Sequence, residues 1–378
     1  MRAILVREPG DPDQLVLGEF PTPEPAPGDL LVKVKAAGVN RADVLQRRGR
    51  YPPPPGASPI LGLEMAGVVG RVEPEAPVDR SAPGRSSAPS AELRPKEWRP
   101  GDRVCGLLPG GGYAEYAVLP AGLAMPIPEN LSFEQAAAIP EVFLTAYQCL
   151  VWIGGLRAVG GASGSSSAVR SGRTDDPLSP DRWSGTPDWM PRDVLVHAGA
   201  SGVGTAAIQL VGEAGARALV TAGSERKLEA CRDLGAATTF DYKAGPFAPG
   251  VLEATGGRGV DLVLDVVGAP YWEQNLECLA TDGRIVLIAT MGGRRVEGAD
   301  VSVLVRKRAS VVGTTLRARG LGYKLRLTCE FADWSLPRFA DGRLRPVIDR
   351  VFSWEAAADA HRYIEENRNI GKIILAGM

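Results

Sequence analysis

The chain has 378 residues, of which 23% are charged, and its formal net charge is −1. A chain of this length can build two domains, and its near-neutral charge argues against a nucleic-acid partner or an anionic membrane surface. No stretch approaches the roughly 20 apolar residues of a membrane-spanning helix, and the first apolar run is too short for a signal peptide. We therefore expect a cytoplasmic protein that enters no membrane.

The five cysteines are dispersed, and no pair has the C-x-x-C spacing that is typical of a zinc site. This pattern argues against a closed tetrahedral zinc site and fits a reducing compartment. The two histidines differ in their surroundings. His197 lies inside an apolar run, which favours a buried core histidine, whereas His361 falls on a late helix and is expected to be exposed.

Short strands separated by turn residues dominate the first part of the chain. Residues 30–36 alternate between apolar and polar after a Pro-Gly-Asp turn, which is typical of a strand. Asn40 precedes an apolar-periodic stretch and is a candidate helix cap. Tyr51 comes directly before four prolines, which predict a loop. Further on, Ser132 and Gln135 have the spacing of a capping box and predict the beginning of a helix.

Two stretches, residues 73–96 and 160–188, are rich in Pro, Ser, Gly and charged residues and contain few large apolar side chains. Such a composition cannot bury enough apolar surface to offset the entropy of ordering the chain. We expect both stretches to be flexible insertions.

Residues 194–210 combine an apolar strand, a glycine-rich turn and the beginning of an apolar-periodic helix. Gly199, Ser201 and Gly204 occupy the three positions of the G-x-G-x-x-G fingerprint, with Ser201 in place of the middle glycine. Glycines let phosphates approach the backbone, and a helix N-terminus offers unpaired N–H groups and a partial positive charge. The stretch favours a dinucleotide pyrophosphate site over an ordinary strand-to-helix turn.

The next strand, residues 218–224, ends about 20 residues after this turn, where NAD-binding proteins place an acidic residue on the ribose 2′-hydroxyl. Here the strand ends in Gly223 and Ser224, and Glu225, Arg226 and Lys227 follow. Small residues followed by cations suit a 2′-phosphate, so we expect NADP rather than NAD. Glu225 counts against this choice, and the two cations are also typical of a solvated first helical turn.

Strands and helices then alternate, which predicts a doubly wound parallel sheet. Because ligands bind at the carboxyl ends of such strands, the residues that follow two of them are candidate cofactor contacts. These residues are Val266, Val267, Ala289, Thr290 and Met291. We place the cofactor domain at 141–311 and a mostly β domain at 1–140 together with 312–378.

Nine segments, in one order along nearly the whole chain, resemble the zinc-independent quinone oxidoreductases of the medium-chain dehydrogenase/reductase superfamily, and most closely their stress-inducible type. The segments are 40–43, 49–56, 62–64, 108–112, 138–141, 197–210, 220–224, 271–273 and 369–372. The resemblance implies an α/β protein with a GroES-like, mostly β catalytic domain and a Rossmann NADP-binding domain, assembled as a homodimer through the edges of the nucleotide domains.

The resemblance also implies roles for single residues. The zinc-dependent relatives have a cysteine near Asn40 and a histidine near Leu63, and neither is present here, so the resemblance predicts no metal and leaves Glu64 as a buried carboxylate. Tyr51 and Asn40 correspond to residues that face the nicotinamide and the substrate. The implied cofactor contacts fall into three groups. Ser201, Gly202, Val203 and Gly204 lie at the pyrophosphate turn, and Gly223, Ser224, Lys227 and Tyr242 lie at the 2′-phosphate. The remaining two are Tyr51 and Asn369.

The predicted reaction is hydride transfer from NADPH to a quinone, ortho-quinones in particular. A quinone becomes an aromatic hydroquinone anion when it accepts hydride, so it needs no Lewis acid. The Tyr51 hydroxyl either positions the quinone carbonyl or donates a proton, or else the ring only packs on the nicotinamide. Two alternative functions stay open: an NADPH-dependent enone or enoyl reductase, and an NADPH-binding protein without catalysis.

Overall fold

The computed structural model describes residues 1–74, 97–157 and 190–377. Nearly all of the predicted insertion at 73–96 and the whole of that at 160–188 lie outside the described residues. The chain forms two compact units. Unit 1 comprises Met1–Leu144 and Arg317–Met378, and unit 2 comprises Thr145–Leu316. The boundaries predicted after residues 140 and 311 fall a few residues earlier.

The strands of the described residues, in chain order, are β1 (Arg2–Val6), β2 (Leu15–Glu19), β3 (Asp29–Val39), β4 (Glu64–Val72), β5 (Arg103–Leu107), β6 (Tyr116–Pro120), β7 (Ala124–Pro126), β8 (Asp193–Val196), β9 (Arg217–Ala222), β10 (Thr238–Asp241), β11 (Val260–Asp265), β12 (Leu279–Leu287), β13 (Ser310–Gly313), β14 (Ile348–Ser353) and β15 (Lys372–Ala376).

The α-helices are α1 (Arg41–Arg47), α2 (Phe133–Ala137), α3 (Pro140–Tyr147), α4 (Gly202–Glu213), α5 (Glu225–Asp233), α6 (Ala248–Ala254), α7 (Trp272–Cys278), α8 (Ser302–Lys307), α9 (Leu321–Ala340) and α10 (Ala357–Glu365). A π-helical segment, Gln148–Ile153, continues α3. No helix of the described residues combines the length and the apolar character that a membrane crossing needs.

Unit 1 is built on a seven-stranded sheet in which β14, β15, β3, β4, β5 and β7 follow one another and β6 also pairs with β3. The alternation predicted around residues 30–36 is confirmed, since Leu30, Val32 and Val34 are buried and Lys33 is exposed. The strand near the C-terminus, β15, lies antiparallel to β3. This pairing brings residues from opposite ends of the sequence into one sheet.

The helical region of unit 1 begins where the sequence predicts. The Ser132 hydroxyl accepts a hydrogen bond from the Gln135 backbone N–H at 3.2 Å, and the Gln135 side chain accepts one from the Ser132 N–H at 2.9 Å. This capping box at the beginning of α2 is confirmed. A second helix, α3, begins at Pro140, so the backbone turns just before Glu141.

Unit 2 holds a six-stranded, fully parallel sheet in the order β10-β9-β8-β11-β12-β13. Counted within the unit, this order is 3-2-1-4-5-6, which is that of the doubly wound dinucleotide-binding fold. The predicted parallel sheet is therefore confirmed. The strand order reverses between β8 and β11, and ligands of such folds bind at the carboxyl ends of the strands beside that point.

Candidate functional site

The turn between β8 and α4 has the backbone that a pyrophosphate needs. Ala198 has a positive φ of 51°, and a side chain on Gly199 would overlap Val220 of the neighbouring strand. A side chain on Gly204 would overlap the carbonyl oxygens of Ala198 and Gly199. The first and last glycines of the fingerprint are therefore required for a tight turn and for close packing of the helix on the strand.

Ser201, which replaces the middle glycine, is the N-cap of α4. Its hydroxyl accepts a hydrogen bond from the Gly204 N–H at 3.0 Å. The N–H groups of Gly202 and Val203 lie in the first turn of the helix, where there is no preceding intrahelical carbonyl to accept them. A twelve-residue helix adds its dipole to these donors. The turn thus fits a dinucleotide pyrophosphate, which would lie against Ser201, Gly202 and Val203.

Two small residues, Gly223 and Ser224, follow the end of β9. Ser224 is exposed at the N-cap position of α5 and makes no side-chain capping bond, while Gly223 lies against the Tyr242 hydroxyl. Glu225, which counted against a 2′-phosphate, forms an ion pair with Arg232 on the same helix. Lys227 is half-buried on the first turn. The four residues predicted around the adenosine phosphate are thus grouped at one strand end.

The residues predicted after β11 and β12 lie together at the carboxyl edge of the sheet. The Met291 N–H donates to the Val266 carbonyl at 3.2 Å, and the Gly292 N–H donates to the Val267 carbonyl at 2.9 Å. Thr290 and Met291 are exposed, and Ala289 and Val267 are half-buried. These backbone bonds place the loop after β12 beside the switch point.

His197 is a hydrogen-bonded core residue, in agreement with its apolar surroundings. Its Nε2 lies 2.7 Å from the Asn275 Oδ1 and its Nδ1 lies 2.9 Å from the Thr221 Oγ1. The Asn275 amide donates to Asp265 at 3.0 Å. Burial lowers the pKa of His197. The network connects the ends of β9 and β11 with α7, directly below the phosphate-binding turn.

Unit 1 contains a buried ion pair beside Asn40. The Lys372 ammonium donates to Oε1 of Glu64 at 2.6 Å, to Oδ1 of Asn40 at 2.6 Å and to the Val39 carbonyl at 3.1 Å. The Asn40 amide donates to Oε1 of Glu64 at 2.9 Å. A side chain on Gly38 would overlap the Glu64 carboxylate. Asn40 occupies the N-cap position of α1, as predicted, while its side chain is bonded within this cluster.

Asp43 takes over the capping of α1. It accepts hydrogen bonds from the N–H groups of Asn40 at 2.8 Å and Gly62 at 3.0 Å. Burial raises the pKa of Asp43 to about 6, although these two hydrogen bonds oppose the shift. The carboxyl group therefore holds the N-terminus of α1 against the loop that precedes β4.

His361 was expected to be exposed, and this prediction is wrong. The ring is buried between Arg47 and Tyr113, with 3.2 Å from its Nδ1 to Nη1 of Arg47 and 3.2 Å from its Nε2 to the Tyr113 hydroxyl. Burial and the Arg47 charge lower the pKa of His361 to about 3. The helix α10 packs its histidine face against α1, which a single sequence does not reveal.

Tyr51 lies in the loop after α1, half-buried, with the guanidinium carbon of Arg317 5.1 Å from the centre of its ring. Arg317 is held by hydrogen bonds to the Pro109 carbonyl at 2.7 and 3.0 Å and to the Gln46 side chain at 2.7 Å. Such stacking of a cation on an aromatic face fixes both side chains. Asn369 is the other implied cofactor contact of unit 1. Its side-chain amide donates to the Gly371 carbonyl at 2.7 Å.

Glu141, at the beginning of α3, completes this part of unit 1. Its backbone N–H donates to Oε2 of Glu64 at 2.8 Å, while Oε1 of Glu64 contacts Lys372 and Asn40. The sequence reasoning did not single out Glu141, Arg317 or Lys372 as site residues. A glutamate after Ile-Pro and a lysine after Ile-Gly were visible in the resembling segments, but only the fold brings them together.

Within the described ranges 1–74, 97–157 and 190–377, no group of three His, Cys, Asp or Glu side chains has an arrangement that would hold a metal ion. Each of the five cysteines is a thiol outside any disulfide, and all but Cys329 are buried.

Comparison with known families gives two matches. Residues 26–129 match the alcohol dehydrogenase GroES-like domain, and residues 234–375 match the zinc-binding dehydrogenase family. Among relatives, the rat quinone oxidoreductase is 28% identical over 99% of this chain and 97% of its own length. A mycocerosic acid synthase-like polyketide synthase of Mycolicibacterium smegmatis is 33% identical over 75% of this chain. The chain spans only 11% of the length of that synthase.

Several similar solved structures cover the whole chain. An NAD-dependent alcohol dehydrogenase has a TM-score of 0.75 and 32% identity, with full coverage of both chains. A mycobacterial protein solved in complex with NADPH has a TM-score of 0.73 and 28% identity, also with full coverage of both. A GroES-like unit together with a doubly wound parallel sheet and its phosphate-binding turn defines a two-domain oxidoreductase. The chain belongs to the medium-chain dehydrogenase/reductase superfamily.

Proposed function

We propose that this protein is an NADPH-dependent quinone reductase that works without a metal, of the stress-inducible type. The observation that carries the proposal is the bonding of Lys372. Its ammonium fills the space beside Asn40 and Glu64, and all three of its N–H donors are taken by protein oxygens. This cluster therefore offers no free electrophile to polarise a substrate carbonyl. A quinone needs none, because hydride addition itself generates an aromatic anion.

The end of β9 supports NADP as the cofactor. Gly223 and Ser224 follow the strand, and the carboxylate next to them, Glu225, is paired with Arg232. Lys227 and the Tyr242 hydroxyl lie at the same strand end, where a cation and a phenol would bind a 2′-phosphate. A carboxylate directed at this position would instead repel it. The neighbour solved with NADPH points in the same direction.

A second candidate function is reduction of enone or enoyl-thioester double bonds with NADPH. The observation that favours it is the 33% identity to a segment of a polyketide synthase, a class of enzyme that builds carbon chains. NADPH bound at the turn between β8 and α4 would serve as hydride donor to either acceptor, a quinone or an enone. An NADPH-binding protein without catalysis is the remaining alternative.

The first experiment measures NADPH oxidation with 1,2-naphthoquinone in the presence of a chelator, with NADH and an enone in parallel. We expect chelator-resistant turnover that prefers NADPH and the quinone. Turnover of the enone alone would favour the second candidate function, enone or enoyl reduction. Fluorescence that shows NADPH binding, without turnover of either acceptor, would favour the non-enzymatic alternative.

The cofactor preference is tested by Lys227→Ala. We expect the Kd for NADPH to rise by roughly tenfold, since a charge-assisted contact to a phosphate contributes about 1.5 kcal/mol, while the Kd for NADH stays the same. Lys243→Ala, an exposed lysine of the same unit, is the matched control. An equal rise for both cofactors would contradict the placement of the 2′-phosphate at this strand end.

A further inference from the structure

Among the described residues of unit 1, two polar atoms of ionisable side chains are buried without a hydrogen-bond partner. They are Oε2 of Glu141 and Nη1 of Arg317. A buried donor or acceptor without a partner costs about 1–3 kcal/mol and more if it is charged, so native proteins rarely keep one without a role. One atom belongs to a carboxyl group and the other to a cation, and both belong to the part of unit 1 that holds Tyr51 and Asn40.

A hydrogen bond to Glu64 fixes the backbone of Glu141. The Glu141 N–H is bonded to Oε2 of Glu64, whose other oxygen contacts Lys372 and Asn40. Both Glu64 oxygens are thus occupied, and the Glu64–Lys372 ion pair has side-chain exposures of 0% and 3%. The Glu64 carboxylate therefore lies near Glu141, whose Oε2 is buried without a partner.

Burial favours the protonated form of Glu141 at neutral pH. Burial raises its pKa from the usual 4.5 to about 8, and the Glu64 and Asp43 carboxylates act in the same direction. The Lys372 and Arg317 cations oppose the shift, and Lys324 of α9 also faces this carboxyl group. An acid with a pKa near the working pH is suited to give up a proton within each turnover.

Glu141 can release a proton, whereas the Arg317 guanidinium keeps its positive charge. Its Nε and Nη2 are bonded to Pro109 and Gln46, and its plane is fixed over Tyr51. The whole Arg317 residue is 6% exposed. The remaining Nη1 is therefore a preorganised, charged donor with no acceptor in the described residues, which is the arrangement that stabilises a developing oxyanion.

We propose that Glu141 is the acid that protonates the hydroquinone anion and that Arg317 holds the oxygen of this anion until the proton arrives. The inference rests on the proposed quinone reductase activity. Hydride from NADPH brings two electrons and one hydrogen to the quinone, leaving NADP⁺ and a hydroquinone monoanion. The O–H bond of Glu141 breaks as the phenolic O–H forms, and the Glu141 carboxylate then takes a proton from solvent.

The direction of this proton transfer is favourable. A phenol has a pKa of about 10, whereas that of Glu141 is about 8. The proton therefore moves from the stronger acid to the weaker one. The transfer also removes the negative charge from the acceptor, so the product is released as a neutral hydroquinone.

The test compares the wild type with Glu141→Gln, which keeps the shape of the side chain but has no acidic proton. With 1,2-naphthoquinone at pH 7 we expect kcat to fall ~100-fold or more, the scale of general acid catalysis. The Kd for NADPH, measured by fluorescence, should stay within about twofold, since Glu141 binds no part of the cofactor in this scheme. Glu129→Gln, an exposed carboxylate of the same unit, is the control.

The pH profile separates a chemical role from a structural one. Wild-type kcat should decline above pH 8 as Glu141 loses its proton, and this decline should be absent from Glu141→Gln. Glu141→Asp, which withdraws the carboxyl group by one methylene, should keep the decline at reduced kcat and carries the test if the glutamine variant does not fold. A glutamine variant with full activity, or a wild-type rate that is flat to pH 9, would overturn the inference. A wild type that binds NADPH but reduces no quinone would overturn the proposed function first, and the inference with it.

Discussion

Tyr51 is the residue whose role the sequence left undecided. In the structure its ring lies under the Arg317 guanidinium, with the Cζ of Arg317 5.1 Å from the ring centre. The ring therefore helps to fix the cation that we assign to the oxyanion. If Glu141 supplies the proton, the Tyr51 hydroxyl is not needed as an acid, but its aromatic face is.

We accordingly expect Tyr51→Phe to keep kcat within about twofold of the wild type. Tyr51→Ala should lower kcat by roughly tenfold, because loss of the cation–π contact of about 1–2 kcal/mol frees Arg317 to move. Steady-state turnover of both variants with the same quinone measures the difference. A tenfold loss in Tyr51→Phe would instead assign the proton to the hydroxyl.

Lys372 determines the charge of the cluster beside Asn40. The family resemblance predicts no metal beside Asn40, and it left Glu64 without an explanation. The structure supplies one, since a buried carboxylate needs a paired charge, and the Lys372 ammonium provides it at 2.6 Å. The sequence could not indicate this pair, because the two residues are more than 300 positions apart.

At the level of elements, the strand–turn–helix of β8 and α4 was predictable in full. Apolar strand residues, three fingerprint positions and a periodic helix all point to the same local structure, so each signal supports the others. Ser201 was recognised as a replacement for glycine. The structure adds its reason, namely that the hydroxyl caps the helix at the Gly204 N–H. The backbone after α3 continues as a π-helical segment, Gln148–Ile153.

The packing of this element gives a stability prediction. A side chain on Gly204 would overlap backbone carbonyls that cannot move aside, so Gly204→Ala should destabilise the protein by about 1–3 kcal/mol in urea unfolding. Gly212→Ala lies on the same helix with no atom within 4 Å of the added carbon. This control should be neutral or stabilise by up to about 1 kcal/mol, since alanine is the better helix former. Equal effects at both positions would contradict the packing role of Gly204.

At the level of the whole molecule, we propose a homodimer through the nucleotide units, as the resemblance implies. β13 is an edge strand of the parallel sheet, and apolar side chains near it are exposed: Val301 by 64%, Val305 by 79% and Val311 by 37%. An edge with unpaired backbone groups and exposed valines is a surface that a second copy would cover.

Light scattering after size exclusion tests this assembly. The chain has a mass of 39.9 kDa, and we expect the wild type to run at twice that mass. Val311→Lys should shift the population towards monomer, because a charge at an apolar interface costs several kcal/mol unless it is paired. Val351→Lys, an exposed valine on the edge strand β14 of unit 1, should leave the mass unchanged. A monomeric wild type would contradict the proposal.

What the sequence by itself determined is local and periodic. Alternating polarity predicted β3, the capping box predicted α2, and the glycine fingerprint predicted the turn after β8, because each of these signals lies within a few residues of the structure that it specifies. The order of strands and helices predicted the parallel sheet for the same reason, since a crossover between parallel strands requires a helix-length connection.

The tertiary structure alone decided which distant residues meet. It paired β15 with β3, and so brought Lys372 to Glu64 and Asn40. It buried His361, which a helix position had suggested was exposed, and it placed Glu141 and Arg317 with one unpaired polar atom each. The physical reason is that a buried charge, its pKa and its partners depend on what surrounds it in space. A single sequence carries no signal for such contacts.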